Sequence, residues 1–185
     1  MDRKQLDEQR RSLFAALEKE FADELVPAQH NQDGEGRFDS LTLFLEDLTG
    51  AGNETIGEFF FLPFVDSDKA DLQIFVNYFT IAEEIDEENL SELLAAASIL
   101  NATIPVGAFA VDAESKSLIY RHAYEMPLPL SDEALKDLVD LSMGTAVQTL
   151  QTFGYMLLEV NDGERNAESL LRTMVPDKKE EGEQP

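Results

Sequence analysis

Apolar residues recur at spacings of three and four in three stretches of the chain, which predicts three amphipathic helices. The first stretch covers residues 3–25 and is ended by Pro27. The second follows the acidic segment Asp86 to Glu88, and the third opens at Ser131 and continues to about Val160. The stripe of the first helix comprises Leu6, Arg10, Leu13, Phe14, Leu17, Phe21 and Leu25.

Alternating or continuous apolar runs between these helices predict five strands joined by short turns. The first two helices are separated by a polar loop, AQHNQDGEGR, and then by three of the strands. The order α-β-β-β-α-β-β-α predicts an α+β domain with a five-stranded antiparallel sheet and helices packed against it. The strands are expected at SLTLFLEDL, at residues 55–65, at residues 72–82, at residues 104–112 and at residues 117–126.

One domain is expected over residues 1–163, because the chain has 185 residues and this length sustains a single core. Residues 164–185 are expected to add a short helical segment around Leu170 and Leu171, followed by a disordered acidic tail, PDKKEEGEQP.

The second predicted strand, in GEFFFLPFV, carries apolar side chains on both of its faces. Phe59 and Phe61 point one way while Phe60, Leu62 and Phe64 point the other, since side chains alternate along a strand. One face must pack against helices, and the other then exposes apolar area unless a partner covers it. The sequence leaves open which face is which. Together with residues off the main stripe of the third helix, the candidate partner or dimer surface comprises Phe60, Leu62, Phe64, Leu141, Val147 and Leu158.

The charge of the chain argues against two classes of partner. There are 38 acidic and 14 basic residues, giving a formal net charge of −24. Nucleic-acid binding needs clustered Lys and Arg, and an anionic membrane repels such a chain. The chain has no Cys, no apolar signal segment and no apolar run long enough to span a bilayer, so a cytoplasmic location is expected.

Residues with potential for catalysis or metal binding are few and poorly spaced. His30 and His122 are 92 positions apart, and neither belongs to a helical metal-binding pair. The DSDKAD segment, with Asp66, Asp68 and Asp71, lacks the glycine and terminal glutamate of an EF-hand loop. No catalytic residue, metal site or cofactor is therefore predicted.

The segment LNATIPVGAFAVDAESKSLIYRHAYEMPL resembles the YbjN family, whose fold is similar to that of the type III secretion chaperones. The resemblance rests on Asn101, on the run from Ile104 to Gly107, on the strand Ile119-Tyr120-Arg121, and on the order of elements over about residues 5–160. It implies an α+β fold that is usually dimeric and has no cofactor. Secretion chaperones hold an extended client segment, and YbjN relatives are described as regulators. Pro105 and Gly107 themselves are interpreted as strand entry and tight packing.

Three functions are compatible with these observations. The first is a non-enzymatic protein-binding module, chaperone-like or regulatory, that forms a homodimer and binds a polypeptide through an apolar sheet face or edge. The second is a structural protein whose apolar face serves only self-association. The third is a small-molecule binder or enzyme with a pocket between sheet and helices.

Overall fold

The computed structural model describes residues 2–32, 39–62, 72–112 and 114–174. The described helices are α1 (Arg3–Asp23), α2 (Leu90–Asn101), α3 (Asp132–Asn161) and α4 (Ala167–Met174). The described strands are β1 (Ala28–Asn31), β2 (Ser40–Glu46), β3 (Glu54–Phe61), β4 (Leu72–Ala82), β5 (Ala108–Asp112) and β6 (Ser117–Pro127).

These strands form one antiparallel sheet in the order β1-β2-β3-β4-β6-β5. The α+β class is confirmed, but the expected count of five strands was wrong because the sheet has six. The additional strand is β1, which lies in the segment that was interpreted as a loop. Its sequence, AQHN, has no apolar alternation, and it is a strand because it pairs with Ser40–Leu43 of β2.

Helix α3 runs unbroken from Asp132 to Asn161, past Gly144 and Gly154. As the sequence predicted, Ser131 caps it: its Oγ accepts a hydrogen bond from the backbone N–H of Ala134 at 3.2 Å. At α1, Asp2 and Gln5 form a reciprocal capping box, with bonds of 2.8 and 3.0 Å.

Side chains from all four helices and from one face of the sheet form a single core. Phe14 and Leu17 of α1, Leu93 and Leu100 of α2, and Leu150 of α3 are each at most 2% exposed. Ala167 and Leu170 of α4 lie in the same core, so this helix packs with the residues that precede it. Residues 175–185, where a disordered tail was expected, lie outside the described residues.

Candidate partner-binding surface

Strand β3 divides its aromatic residues between the two faces of the sheet. Phe59 and Phe61 are at most 2% exposed and lie in the helix-covered core, whereas Phe60 and Leu62 point the other way and are half-buried. No described helix packs on the face that carries Phe60, and we call it the open face. Its apolar members on or next to β2, β3 and β4 are Phe44, Ile56, Phe60, Leu62, Leu72, Ile74, Val76 and Tyr78.

The strand register brings part of the open face together as one apolar patch. Phe60 lies opposite Val76, and Val76 in turn lies opposite Ala123 of β6. The backbone N–H of Leu62 donates to the carbonyl oxygen of Ile74 at 2.9 Å, which extends the pairing beyond the end of β3. Opposite residues of antiparallel strands share a face, so these side chains are neighbours on the open face. Val76 is fully buried among them, and the half-buried Phe60, Leu62 and Ile74 form the surface.

A polar band crosses the open face beside this patch. Glu58 lies opposite Thr42 on one side and Tyr78 on the other, and Tyr78 lies opposite Arg121. Burial, followed by the negative charges of Asp112 and Glu58, raises the pKa of Tyr78 above its ordinary value. The carboxylates that share this face outnumber the single described basic side chain, Arg121; they are Glu46, Glu54, Glu58, Asp112 and Glu125.

The structure does not bring the six sequence-predicted surface residues together. Leu141 is 58% exposed, but it lies on α3, on the opposite side of the sheet from Phe60 and Leu62. Val147 of the same helix is half-buried against the core. The placement of Leu158 on a surface was wrong, because this residue is 7% exposed and belongs to the core. Phe64 lies outside the described residues.

Sequence reasoning left Phe44, Ile56 and Ile74 out of the candidate surface. Their membership depends on cross-strand register, since Ile56 lies opposite Phe44 and Leu62 is hydrogen-bonded to Ile74. The alternation within each strand was visible in the sequence. The register between neighbouring strands was not visible in the sequence, because both faces of β3 are apolar.

Two polar residues mark the helix-covered face of β4, namely Gln73 and Asn77, both fully buried. The guanidinium Nε of Arg10 donates to Oε1 of Gln73 at 3.1 Å, and the amide of Asn77 donates to Oγ of Ser142 at 2.7 Å. Arg10 also lies over the ring of Phe61, 4.7 Å from its centroid. Burial lowers the pKa of Arg10 to about 10. Partners from α1 and α3 thus make it possible to bury the more polar side of this strand.

His122 lies beside this polar group, beneath α3, and is 7% exposed. Burial lowers the pKa of His122 below its ordinary value of 6.5, and a hydrogen bond with the backbone of Ser142 offsets part of this effect. His30 is on β1, and three strands separate it from β6. Among the described residues, no group of three or more His, Asp or Glu side chains is arranged to hold a metal ion. The DSDKAD segment lies outside them.

The residues of the YbjN-like motif make close contacts that connect the end of α2 to β5 and β6. The side-chain amide of Asn101 donates to the carbonyl oxygen of Phe109 at 2.9 Å and accepts from its N–H at 2.8 Å. Gly107 has a φ of 71° and lies against Tyr120. The strand expected from residue 104 begins only at Ala108, so Gly107 precedes the strand and does not lie within it. Tight packing at this glycine agrees with the structure.

A cleft of about 380 Å³ lies where β3 and β4 approach the C-terminal end of α3. Glu54 and Glu83, which line it, are exposed. Its amide side chains are engaged with the backbone, since Asn53 donates to the carbonyl oxygen of Ile81 and Asn161 accepts from the N–H of Asp86. The amide side chains of the cleft are therefore not available to orient a small ligand, and its polar lining includes the exposed carboxylates of Glu54 and Glu83.

Within the described residues, none of the four helices combines the length and the apolar character needed to cross a bilayer.

Comparison with known proteins gives a similarity of fold and no match of sequence. No protein-family model matches the sequence, and no curated protein matches it. Among solved structures, the fold is similar to the crystal structure of YbjN, a proposed transcription regulator from E. coli. The match has 12% sequence identity and a TM-score of 0.41, and it covers 77% of this chain and 91% of that one. At this identity and TM-score, the similarity assigns no function to the chain.

Proposed function

We propose that this protein is a non-enzymatic module, chaperone-like or regulatory in type, that binds a polypeptide partner through the open face of its sheet. The observation that carries the proposal is the apolar patch formed by Phe60, Leu62 and Ile74 around the fully buried Val76, over which no described helix packs. An antiparallel sheet with one solvated face ordinarily places polar side chains there. A contiguous apolar surface in that position is typical of an interaction site.

The charge around the patch favours a particular kind of partner. Glu58 and Glu125 lie on the open face, and the whole chain carries a formal net charge of −24. An apolar segment flanked by Lys or Arg therefore complements this surface, and acidic partners are repelled. Self-association of two copies through the same face is the alternative. It brings together two chains of equal negative charge, which repel each other.

The proposal assigns no reaction to the protein. Of the buried polar groups between the sheet and the helices, Arg10 is bonded to Gln73 and Asn77 to Ser142, while Nε2 of Gln73, Oδ1 of Asn77 and Nδ1 of His122 have no hydrogen-bond partner among the described residues. The two bonded pairs stabilise the packing of α1 and α3 on β4, and no bound metal or cofactor is part of the proposal.

Affinity capture followed by calorimetry tests this function. A partner is captured from the native host with the wild-type protein, identified by mass spectrometry, purified, and titrated into three proteins. Wild type and Leu94→Lys, which alters a half-exposed leucine on α2, should bind equally. Ile74→Lys should weaken binding at least about tenfold, because it places a charge in the patch. Equal affinities for all three proteins would rule out the open face as the binding surface.

Light scattering distinguishes partner binding from self-association. A monomeric wild-type protein that binds its partner supports the proposal. A dimer that Ile74→Lys dissociates, and that captures no polypeptide, supports self-association instead.

A further inference from the structure

We propose that the free edge of β6 accepts an extended segment of a polypeptide partner, which adds to the sheet as a further strand. This inference takes a polypeptide as the ligand and in that respect rests on the proposed function. It concerns a different surface, at the side of the sheet and not on its open face.

The edge arises because β6 is longer than its neighbour. Strand β4 pairs with β6 as far as Pro127, whereas β5 pairs only with Ser117–Arg121. Residues 122–127 therefore have a described sheet neighbour on one side only, over a length of about 20 Å. Among the described residues, no backbone–backbone hydrogen bond outside the sheet ladders involves these six positions. The side-chain amide of Asn77 donates to the carbonyl oxygen of His122 at 3.5 Å from the β4 side, which leaves the free edge unaffected.

Because the N–H and C=O of Phe109 point away from β6, the alternation of the ladder directs the backbone groups of Ala123, Glu125 and Pro127 to the free edge. Pro127 has no N–H, so the edge offers two N–H donors and three carbonyl acceptors, and such unpaired groups are a template for another strand.

The structure treats the outer edge of β5 differently. There the amide of Asn101 occupies both the N–H and the carbonyl oxygen of Phe109. Blocking an edge in this way prevents strand addition. The contrast between the capped edge of β5 and the uncapped edge of β6 favours the latter as the place where a strand adds.

Helix α3 places one exposed apolar side chain, Leu141, above this edge. Ser142 points at the sheet, because its hydroxyl binds Asn77, and Lys136 points towards α1, because it pairs with Glu20 at 3.0 Å. At 100° per residue, Lys136 lies about 120° from Ser142 in one direction around the helix, and Leu141 lies about 100° in the other. Since α1 packs on the β1 and β2 side, Leu141 lies on the β6 side, where it is 58% exposed.

A second copy of the chain does not fit this edge well. Two β6 edges paired antiparallel about Tyr124 place Arg121 of one copy opposite Pro127 of the other. Ala108 of β5 already occupies that position beside Arg121. Pairing about Glu125 avoids the overlap but sets two carboxylates opposite each other, which is destabilising. A segment from another polypeptide is free of both constraints.

The edge also specifies the chemistry of that segment. Residues of the added strand opposite His122 and Tyr124 point to the helix side, towards Leu141, and are expected to be apolar. The residue opposite Glu125 points to the open face, where a Lys or Arg would meet an exposed carboxylate. The inferred ligand is therefore an extended segment in which apolar and basic residues alternate.

The probe for this inference is a fluorescein-labelled heptapeptide, (Val-Lys)₃-Val, added to the full-length protein. Fluorescence anisotropy measures its affinity, and hydrogen exchange with mass spectrometry locates it. We expect protection of the N–H groups of Ala123 and Glu125, which point to the free edge, whereas those of His122, Tyr124 and Met126 already face β4. A fully N-methylated peptide of the same sequence, which has no amide donors, should not bind. Leu141→Lys and Glu125→Lys should each weaken binding at least about fivefold, whereas Leu94→Lys on α2, which adds the same single positive charge as Leu141→Lys, should not.

Other results would overturn the inference in distinguishable ways. If Ile74→Lys abolishes peptide binding and Leu141→Lys does not, the peptide lies on the open face, and the proposed function survives without the edge. If the N–H groups of Ala123 and Glu125 are already protected in a dimer without peptide, a second copy occupies the edge. If no peptide binds, the edge inference fails, and the proposed function is judged by its captured partner.

Discussion

The phenol of Tyr120 occupies the space that a side chain at Gly107 would need. Its hydroxyl donates a hydrogen bond to the carbonyl oxygen of Val106 at 3.1 Å, which holds the ring against the glycine. A Cβ atom at Gly107 would overlap the hydroxyl oxygen and two ring carbons of Tyr120. The φ of Gly107, 71°, is also one that other residues rarely adopt.

Gly107→Ala should therefore lower the free energy of unfolding by about 2–4 kcal/mol, through backbone strain and overlap. Gly144→Ala is the matched control, because a Cβ there meets nothing within 4 Å and the residue lies inside α3. This second change should stabilise the protein by about 0.5–1 kcal/mol. Urea denaturation checks both values. Equal effects at the two glycines would contradict the close packing of Gly107 against Tyr120.

Asn101→Ala should cost about 1–3 kcal/mol, because it leaves the N–H and C=O of Phe109 without their partner. The backbone amide of Phe109 should also exchange its hydrogen faster. Urea denaturation and amide exchange measure the two effects. Unchanged exchange at Phe109 would show that Asn101 does not cap the edge of β5.

Gly154 and Thr49 should show coupled effects on stability. A Cβ at Gly154 would lie 2.8 Å from Cγ2 of Thr49, which is 3% exposed, so Gly154→Ala should cost about 1–3 kcal/mol. Thr49→Ser removes that methyl group but keeps the hydroxyl that donates to Asn53 at 2.6 Å. In a double-mutant cycle, Gly154→Ala should cost at least about 1 kcal/mol less in the Thr49→Ser protein than in the wild type. Additive effects would mean that α3 does not approach this turn closely.

His122 should make the protein less stable in mild acid. Since burial lowers its pKa in the folded state, the unfolded chain takes up the proton first as the pH falls. The free energy of unfolding should therefore decrease below about pH 6.5 and level off, for this group, below the folded-state pKa. The difference between wild type and His122→Asn, measured by urea denaturation from pH 7.5 to 4.5, isolates this contribution from that of the many carboxylates. If the difference in the free energy of unfolding between the two proteins does not change with pH, the predicted contribution of His122 is contradicted.

The helices and most strands could be predicted from sequence because their apolar spacing is regular. Strand β1 could not, because Ala28–Asn31 has no such pattern and its structure comes from pairing with β2. The sequence also did not show which face of β4 lies in the core. A pattern of polar and apolar residues favours burying Ile74 and Val76 together, yet the structure buries Gln73 and Asn77 in the core, where Arg10 and Ser142 bind them.

The candidate surface was predictable only in part for the same reason. Phe60 and Leu62 were identified as one row, but the sequence could not say which row the helices cover, since both rows of β3 are apolar. Leu158 was misplaced because a long helix that is buried on several sides has no single stripe. The free edge of β6 depends on the relative lengths of two paired strands, which no local pattern records.

Methyl NMR of the protein with its captured polypeptide partner tests the central claim most directly. The open-face account predicts that the methyl resonances of Ile56, Leu62 and Ile74 shift or broaden on binding. Those of the half-exposed Leu94 and Leu171, on α2 and α4, should stay in place. Shifts confined to Leu94 and Leu171, with Ile56, Leu62 and Ile74 unchanged, would contradict the claim that the open face of the sheet binds the partner.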